Sequence, residues 1–198
     1  GQQYIGPKMG AYFITVSIQV LLLTSLIMLI YIAIRFQFKF GLAAVLALIH
    51  DAIFMIGIVS LFDLEMDINI IAAILTILGY SINDTIVVFD RIRENTQKLS
   101  LDRNEYINVV NRSIHQSLSR TLITSLTTMF VVVVLLIWGG ETIFNFYLLL
   151  CVGIIDGTYS SIFIASPILV LWDRFMEKRE KRKKAKQKTK LKESTAKK

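Results

Sequence analysis

The sequence predicts an all-α integral membrane protein, a bundle of five transmembrane helices. Three observations support this: 54% of the 198 residues are hydrophobic, the mean hydropathy is +0.58, and the apolar residues form long blocks. A bilayer core about 30 Å thick needs roughly 20 apolar residues per helical span. Five blocks suit that length. Because the chain has only two prolines, we expect largely uninterrupted helices.

The blocks divide the chain into segments. The predicted spans are residues 9–34, 40–62, 68–89, 121–137 and 144–172. Residues 1–8 are interpreted as the end of a missing extracytoplasmic segment. Residues 96–120 carry apolar side chains at helical spacing, which predicts an amphipathic cytoplasmic helix; whether it is a linker or a functional arm stays open. Residues 173–198 form a basic tail.

Lysine and arginine set the predicted orientation. All of them except Lys8 fall on one side of the five-span bundle. Positive loops mark the cytoplasmic side, so the C-terminal tail is expected there. Beside a membrane, such a tail binds anionic lipid with about 1 kcal/mol per basic residue. We therefore expect lipid as its partner and no specific nucleic acid, while a ribosome contact is not decided by charge alone.

Several ionisable residues lie inside predicted spans. His50 and Asp51 are midway along the second, Asp84 is in the third, Asp156 is midway along the fifth, and Arg120 opens the fourth. A charge at the bilayer centre costs roughly 2.5–3.5 kcal/mol on insertion scales, and intramembrane carboxyls are typical of proton relays. Arg120 can pair with such a carboxylate. For His50 and for Asp156, a functional role and simple helix packing both stay open.

Small and polar residues accompany these charges. The third span carries Gly79, Tyr80, Asn83 and Asp90 on nearly one side. The fifth span has Gly153 and Gly157 at the GxxxG spacing that allows close helix packing. We expect these faces to turn inward, so that the ionisable groups share a polar seam within the bundle.

The residues give little support for an enzyme or a metal site. Adjacent helical residues such as His50 and Asp51 point about 100° apart, so they cannot chelate one metal ion without further ligands. A single cysteine, Cys151, excludes a disulfide framework and zinc-type cysteine spacing. No HExxH, GxSxG or P-loop pattern occurs. We therefore predict no enzyme, no catalytic residue, no metal and no cofactor.

Five stretches closely resemble one protein family. They are Leu48–Asp51, Gly79–Asn95, Ser119–Thr128, Trp138–Gly140 and Gly157–Pro167. Together they resemble the SecF proteins of the SecD/SecF protein-export family over residues 6–172. The run Asn83-Asp84-Thr85 favours the SecF type over the related SecD type.

The resemblance implies further expectations. The bundle would be similar to half of the membrane domain of an RND-type transporter, and the chain would lack the family's first helix and extracytoplasmic domain. Implied partners are SecD, the SecYEG translocon and a secreted preprotein, in the bacterial inner membrane. Asp84 matches the family's intramembrane carboxylate and Arg120 the arginine that opens the next helix. Asp156 departs from the family pattern and receives no role.

These observations favour an accessory subunit of the Sec export machinery. It would couple the proton motive force to late steps of translocation through Asp84 and Arg120, with His50, Asp51, Tyr80, Asn83 and Asp90 as supporting polar groups. Two alternatives remain. One is half of an RND-type proton-coupled exporter of small molecules or lipids, and the other is a non-conducting assembly scaffold.

Overall fold

The computed structural model describes residues 7–35, 38–97, 103–176, 179 and 182, and these contain no β-strand. The elements are α1 (Pro7–Arg35), α2 (Phe38–Leu61), α3 (Ile68–Gln97), α4 (Arg103–Trp138), a 3₁₀ turn (Glu141–Ile143), α5 (Phe144–Ser160), a π-helical turn (Ser161–Ala165) and α6 (residues 166–176). Among these described residues, four segments are long and apolar enough to cross a membrane: Phe38–Leu61, Ile68–Gln97, Glu105–Trp138 and Glu141–Met176. The predicted class, an all-α integral membrane protein, is confirmed.

Two of the helices extend well beyond the predicted spans. α3 continues to Gln97, and α4 runs without a break from Arg103 through the predicted amphipathic segment into the predicted fourth span. Helix bounds do not fix where a bilayer begins, so the span limits stay predictions. Residues 1–6, 98–102 and 183–198, to which the sequence assigned parts of the outer segment, the amphipathic segment and the tail, lie outside the described residues.

The connection between α2 and α3 is fixed by two aspartates. Asp63 has a positive φ of 51°, in the left-handed region that aspartate tolerates better than most residues. Asp67 precedes α3, and its Oδ1 accepts a hydrogen bond from the backbone N–H of Ile70 at 2.8 Å. This is an N-cap, which satisfies one of the donors left free at a helix start.

Two glycines make the turn between α4 and α5. Gly140 has a φ of 84°, a conformation that favours glycine. At Gly139, an added Cβ would collide with the carbonyl oxygen of Leu135 and the ring of Tyr147. The chain can therefore reverse tightly here only because neither residue carries a side chain.

Helix α3 is the centre of the bundle. It packs most extensively against α5 and also contacts α4 and α2. Gly153 of α5 lies against the side chain of Ile77, and a Cβ added at Gly157 would be 3.0 Å from the Cβ of Ser81. The GxxxG pair thus sets a close approach of α5 to α3, which brings buried polar groups of the two helices together.

The π-helical turn between α5 and α6 lies just before Pro167. A proline inside a helix lacks an N–H and its ring clashes with the carbonyl four residues earlier, here that of Phe163. The wider turn over Ser161–Ala165 accommodates this, and the Ser166 hydroxyl donates to the Ser161 carbonyl oxygen at 3.3 Å. Ser160 and Ser161 are both fully buried at this point.

The distribution of polarity is inverted relative to a water-soluble protein. Large apolar side chains are exposed on several helices, among them Ile53, Leu126, Phe130 and Phe163. Ionisable side chains are buried, among them Asp51, Asp84 and Asp156. Apolar groups outward and polar groups inward is the arrangement that a surrounding lipid phase favours.

Candidate functional site

The buried face of α3 contributes one residue to each of two polar clusters. Ser81 and Asp84 are three residues apart and therefore lie on the same side of the helix. Asp84 belongs to a cluster with Arg120, Ser125, Tyr80 and Thr158, which we call the Asp84 site. Ser81 belongs to a cluster with His50, Asp51, Asp156 and Ser160, which we call the Asp51 site.

Asp84 is the central group of the Asp84 site. Its side chain is buried, with the residue only 3% exposed. The Oδ2 oxygen has no hydrogen-bond partner among the described residues. The hydroxyl of Ser125 interacts with the carboxyl group by hydrogen bonding, and the positive charge of Arg120 attracts it when it is ionised. Within the described ranges no ion pair joins Arg120 directly to Asp84, so the guanidinium acts through its field.

A chain of hydroxyl groups passes beside Asp84. Tyr80 on α3 donates to the Ser125 hydroxyl of α4 at 3.3 Å. Ser125 and the Thr158 hydroxyl of α5 are 2.7 Å apart. Hydroxyls can both donate and accept. Three helices therefore meet at groups that can pass a proton or reorganise around a carboxyl whose charge changes.

A polar cleft of about 220 Å³ lies near the last third of α3. Its lining residues are Val87, Asp90, Arg91, Glu94, Gln116, Ser117 and Arg120. Arg91 links α3 to α4, because its Nε donates to Oε1 of Gln116 at 2.7 Å. Its Nη1 is also 2.6 Å from Oε2 of Glu94, on α3 itself. Arg120 lines this cleft and is also close enough to Asp84 for its positive charge to act on the buried carboxyl.

The Asp51 site joins α2, α3 and α5. Asp51 is completely buried. Its Oδ1 is 3.1 Å from Nδ1 of His50, and its Oδ2 accepts a hydrogen bond from Ser81 at 2.5 Å. Ser81 is in turn 3.4 Å from the Ser160 hydroxyl. One carboxylate therefore ties an imidazole on its own helix to hydroxyls of two others.

Asp156 brings a second acid to the Asp51 site. It is 6% exposed, and its Oδ2 has no hydrogen-bond partner within the part of the chain that the structure describes. Ligand-type atoms of Asp156, Asp51 and His50 all lie within 4.8 Å of one another. The sequence left this residue without a role, and the structure places it against the pair His50 and Asp51.

The structure separates the remaining predicted polar residues of α3. Tyr80 is half-buried and takes part in the Asp84 site, whereas Asn83 and Asp90 are exposed. Gly79 is also exposed, and a Cβ added there would meet no neighbouring atom within 4 Å. The stripe predicted to face inward therefore lies largely on an open side of the single chain.

Four hydroxyl-bearing residues of the two sites were not among the predicted site residues. They are Ser81, Ser125, Thr158 and Ser160. Ser81 is three residues before Asp84 and Thr158 is two residues after Asp156, so helical periodicity alone was a usable signal for Ser81. For Thr158 no spacing argument was available, because its role depends on how α4 crosses α5.

Fold and sites together define a multi-pass α-helical membrane protein with carboxyl groups held inside its bundle. Residues 2–195 match the family described as "Protein export membrane protein SecD/SecF, C-terminal". The chain belongs to this family, and the resemblance noted in the sequence is confirmed.

Individual relatives agree with this assignment. The chain is 47% identical over 171 residues to the protein translocase subunit SecF of Sebaldella termitidis, which covers 86% of this chain and 55% of that protein. It is 42% identical over 169 residues to the SecF subunit of Rickettsia felis, covering 85% of this chain and 54% of that protein. The chain spans about half the length of these curated relatives.

A solved structure has the same fold. The crystal structure of SecDF from Thermus thermophilus, described as a translocon-associated membrane protein, is similar with a TM-score of 0.69 and 51% sequence identity. The match covers 74% of this chain and 20% of that chain. The helix arrangement described above is therefore similar to that of part of SecDF.

Proposed function

We propose that this protein is an accessory subunit of the bacterial Sec protein-export machinery, which couples proton movement at Asp84 to protein translocation. The observation that carries the proposal is the Asp84 site itself. A buried carboxyl with an unpartnered oxygen lies beside the hydroxyl of Ser125 and in the field of Arg120. Membership of the SecD/SecF family supports the export role.

The coupling would work through charge. When Asp84 is ionised, Arg120 attracts it; when a proton neutralises it, that attraction is lost while the hydrogen bonds around it rearrange. Asp84 is on α3, Arg120 and Ser125 are on α4, and Thr158 is on α5. A change of protonation therefore acts at the point where three helices meet, and two packings of these helices would differ in stability.

Proton access is supported by the polar cleft. Arg120 lines it together with Asp90, Arg91 and Glu94. The excess of basic residues on this side of the bundle favours a cytoplasmic location for the cleft and the tail, in the inner membrane. Basic residues near the tail would bind anionic lipid. We assign no catalytic residue and no enzymatic activity.

We further propose that SecD covers the open side of α3. Thr76, Gly79 and Asn83 are exposed there in the single chain, and within a bilayer polar side chains require partners that lipid does not supply. Only 17% of the apolar stretch of α4 is buried within this chain, so α4 also has surface for a partner. SecYEG and the secreted preprotein would engage the complex rather than this bundle alone.

The central experiment is proton-driven export by Asp84→Asn, measured with a preprotein in inner-membrane vesicles that contain the full complex. Asparagine keeps the size of the side chain but cannot be ionised. We expect assembly with SecD to persist and the stimulation by a proton gradient to disappear. Asp63→Asn, an exposed turn position, is the matched control and should keep full stimulation.

The alternatives predict other results. A scaffold would keep proton-stimulated export in Asp84→Asn, and that result would overturn the coupling role. Partner contact is tested separately by disulfide crosslinking in a Cys151→Ser background. Asn83→Cys should crosslink to cysteines on SecD, whereas Ile53→Cys, exposed on α2, should not; equal crosslinking from both positions would refute the assigned face.

A further inference from the structure

His50, Asp51 and Asp156 converge where α2 packs against α5. Each offers one ligand-type atom, and these atoms all lie within 4.8 Å of one another. His50 and Asp51 are neighbours on one helix and cannot hold a metal ion by themselves. Asp156, from a helix about a hundred residues later in the sequence, supplies the additional ligand that the pair lacks.

The side chain of Asp156 independently points to a ligand. The residue is more than nine-tenths buried, yet its Oδ2 has no hydrogen-bond partner among the described residues. A buried carboxylate oxygen without a partner is strongly disfavoured. Because this group lies beside Asp51 and His50, a cation bound between them would satisfy it.

Charge balance favours a divalent cation. Asp51 and Asp156 bring two carboxylates into one buried site. Within the described part of the chain, no lysine or arginine forms an ion pair with either of them. A single ion of charge +2 would neutralise both carboxylates, and His50 would contribute a neutral imidazole nitrogen.

The donor set identifies the class of ion. One imidazole nitrogen and two carboxylate oxygens, with a position left for water or a hydroxyl, match the ligands that zinc takes in open sites. Sodium, magnesium and calcium prefer oxygen donors alone. Zinc–ligand bonds of about 2.0–2.2 Å place paired donors up to about 4 Å apart, so small side-chain rotations would close the site.

Neighbouring hydroxyls would orient the ligands. Ser81 donates to Oδ2 of Asp51, and the Ser160 hydroxyl is 3.4 Å from that of Ser81. Hydrogen bonds of this kind hold metal-binding carboxylates in position. Ser160 is completely buried beside the π-helical turn, a feature frequent at functional sites.

We propose that His50, Asp51 and Asp156 form a binding site for a divalent transition-metal ion of the zinc type, distinct from the Asp84 site. The inference goes beyond the proposed export function, because it uses neither Asp84 nor Arg120, the two residues through which proton coupling was proposed. It also gives Asp156 a role, which the sequence alone could not.

The test uses the full-length protein with its membrane partner, purified in detergent, freed of affinity tags and treated with a chelator. Zn²⁺ is then added, and bound metal is measured by elemental analysis after desalting. We expect about one tightly held Zn²⁺ per protein. His50→Gln and Asp156→Asn should each weaken binding at least about tenfold, whereas Asp84→Asn, a buried carboxylate outside the site, should bind as the wild type does.

Co²⁺ substitution adds a structural readout, since its visible absorption should indicate nitrogen and oxygen donors and should change in His50→Gln. His50 is partly exposed, so that variant decides the question if Asp156→Asn fails to fold. Unchanged Zn²⁺ affinity in His50→Gln or in folded Asp156→Asn would overturn the proposal. A wild-type protein that binds no Zn²⁺ would also overturn it. In that case infrared spectroscopy should detect a protonated carboxyl whose band is lost in Asp156→Asn, which would show that a proton takes the place of the metal ion.

Discussion

The Asp84 site and the Asp51 site share the buried face of α3 but differ in how their negative charge is balanced. At the Asp84 site one carboxyl lies in the field of Arg120 and beside the hydroxyl of Ser125. At the Asp51 site two carboxylates adjoin one imidazole. The first site has a permanent positive charge nearby, since the arginine side chain is always charged. Among the described residues, the second site has a histidine and no lysine or arginine ion pair.

This difference in charge balance suggests different functions for the two sites. A single carboxyl with a fixed counter-charge can alternate between two protonation states without leaving a large uncompensated charge in the bundle. Two carboxylates beside a histidine need an added cation or proton to be stable in a buried place. The Asp84 site is therefore suited to switching, and the Asp51 site to holding an ion that joins α2 to α5.

The largest expected effect separates the two sites by function. Asp84→Asn should lower proton-stimulated export at least about tenfold, equivalent to about 1.4 kcal/mol of activation free energy. Asp156→Asn should retain export within about threefold, because it does not touch the switching carboxyl. Export rates in vesicles with matched amounts of complex provide the measurement. Equal losses in both variants would mean that the two sites act as one.

The next largest effect tests the helix contact that the Asp51 site depends on. Gly153→Ala should destabilise the bundle by about 1–3 kcal/mol, the range for overpacking, because a Cβ there collides with Ile77. Gly79→Ala is the matched control. Its Cβ would meet no neighbouring atom, so better helix propensity should stabilise that helix by about 0.5–1 kcal/mol.

Unfolding of the purified protein in mild detergent, followed by circular dichroism during a denaturant titration, measures both changes. The two glycines should shift the midpoint in opposite directions. A destabilisation of similar size in Gly79→Ala would show that the exposed side of α3 is tightly packed in the protein's own environment.

These two glycines also show what the sequence could and could not predict. Long apolar blocks were sufficient for the all-α membrane class, since the need to satisfy backbone groups in lipid leaves few other folds. Small residues were predicted to mark faces of close approach, and Gly153 and Gly157 contact α3. The same reasoning placed Gly79 inward, whereas it is exposed in the single chain, because spacing along one helix does not say which neighbour, if any, covers a face.

The two sites show the same limit: single residues could be recognised from the sequence, but their grouping across helices could not. Asp84 and Arg120 could be singled out because a charge inside an apolar block is costly wherever the helix is placed. The grouping of Asp156 with His50 and Asp51 could not be predicted. It depends on the rotation of α5 against α2, which is set by side-chain packing between segments about a hundred residues apart.

A smaller effect tests the electrostatic difference directly. A double-mutant cycle of Arg120→Gln with Asp84→Asn should show a coupling of about 1 kcal/mol in the free energy of unfolding, within the range for interacting residues. The cycle of Arg120→Gln with Asp156→Asn should be additive within about 0.3–0.5 kcal/mol. Coupling of equal size in both cycles would show that Arg120 serves as a counter-charge for both sites, which would contradict the proposed difference between them.

The smallest effect concerns an ion pair outside both sites, which serves as a reference for surface electrostatics. Nζ of Lys39 on α2 is 3.2 Å from Oδ2 of Asp173 at the end of α6. Both side chains are partly exposed, at 23% and 30%, so Lys39→Gln should cost only about 0.2–1 kcal/mol of unfolding free energy. Raising the salt concentration should abolish this difference, because mobile ions screen exposed charges. The coupling between Arg120 and Asp84 should persist at the same salt concentration, since one partner is buried. If the coupling energy and the cost of Lys39→Gln decline together, solvent ions reach the Asp84 carboxyl, and its interaction with Arg120 is screened like that of a surface pair.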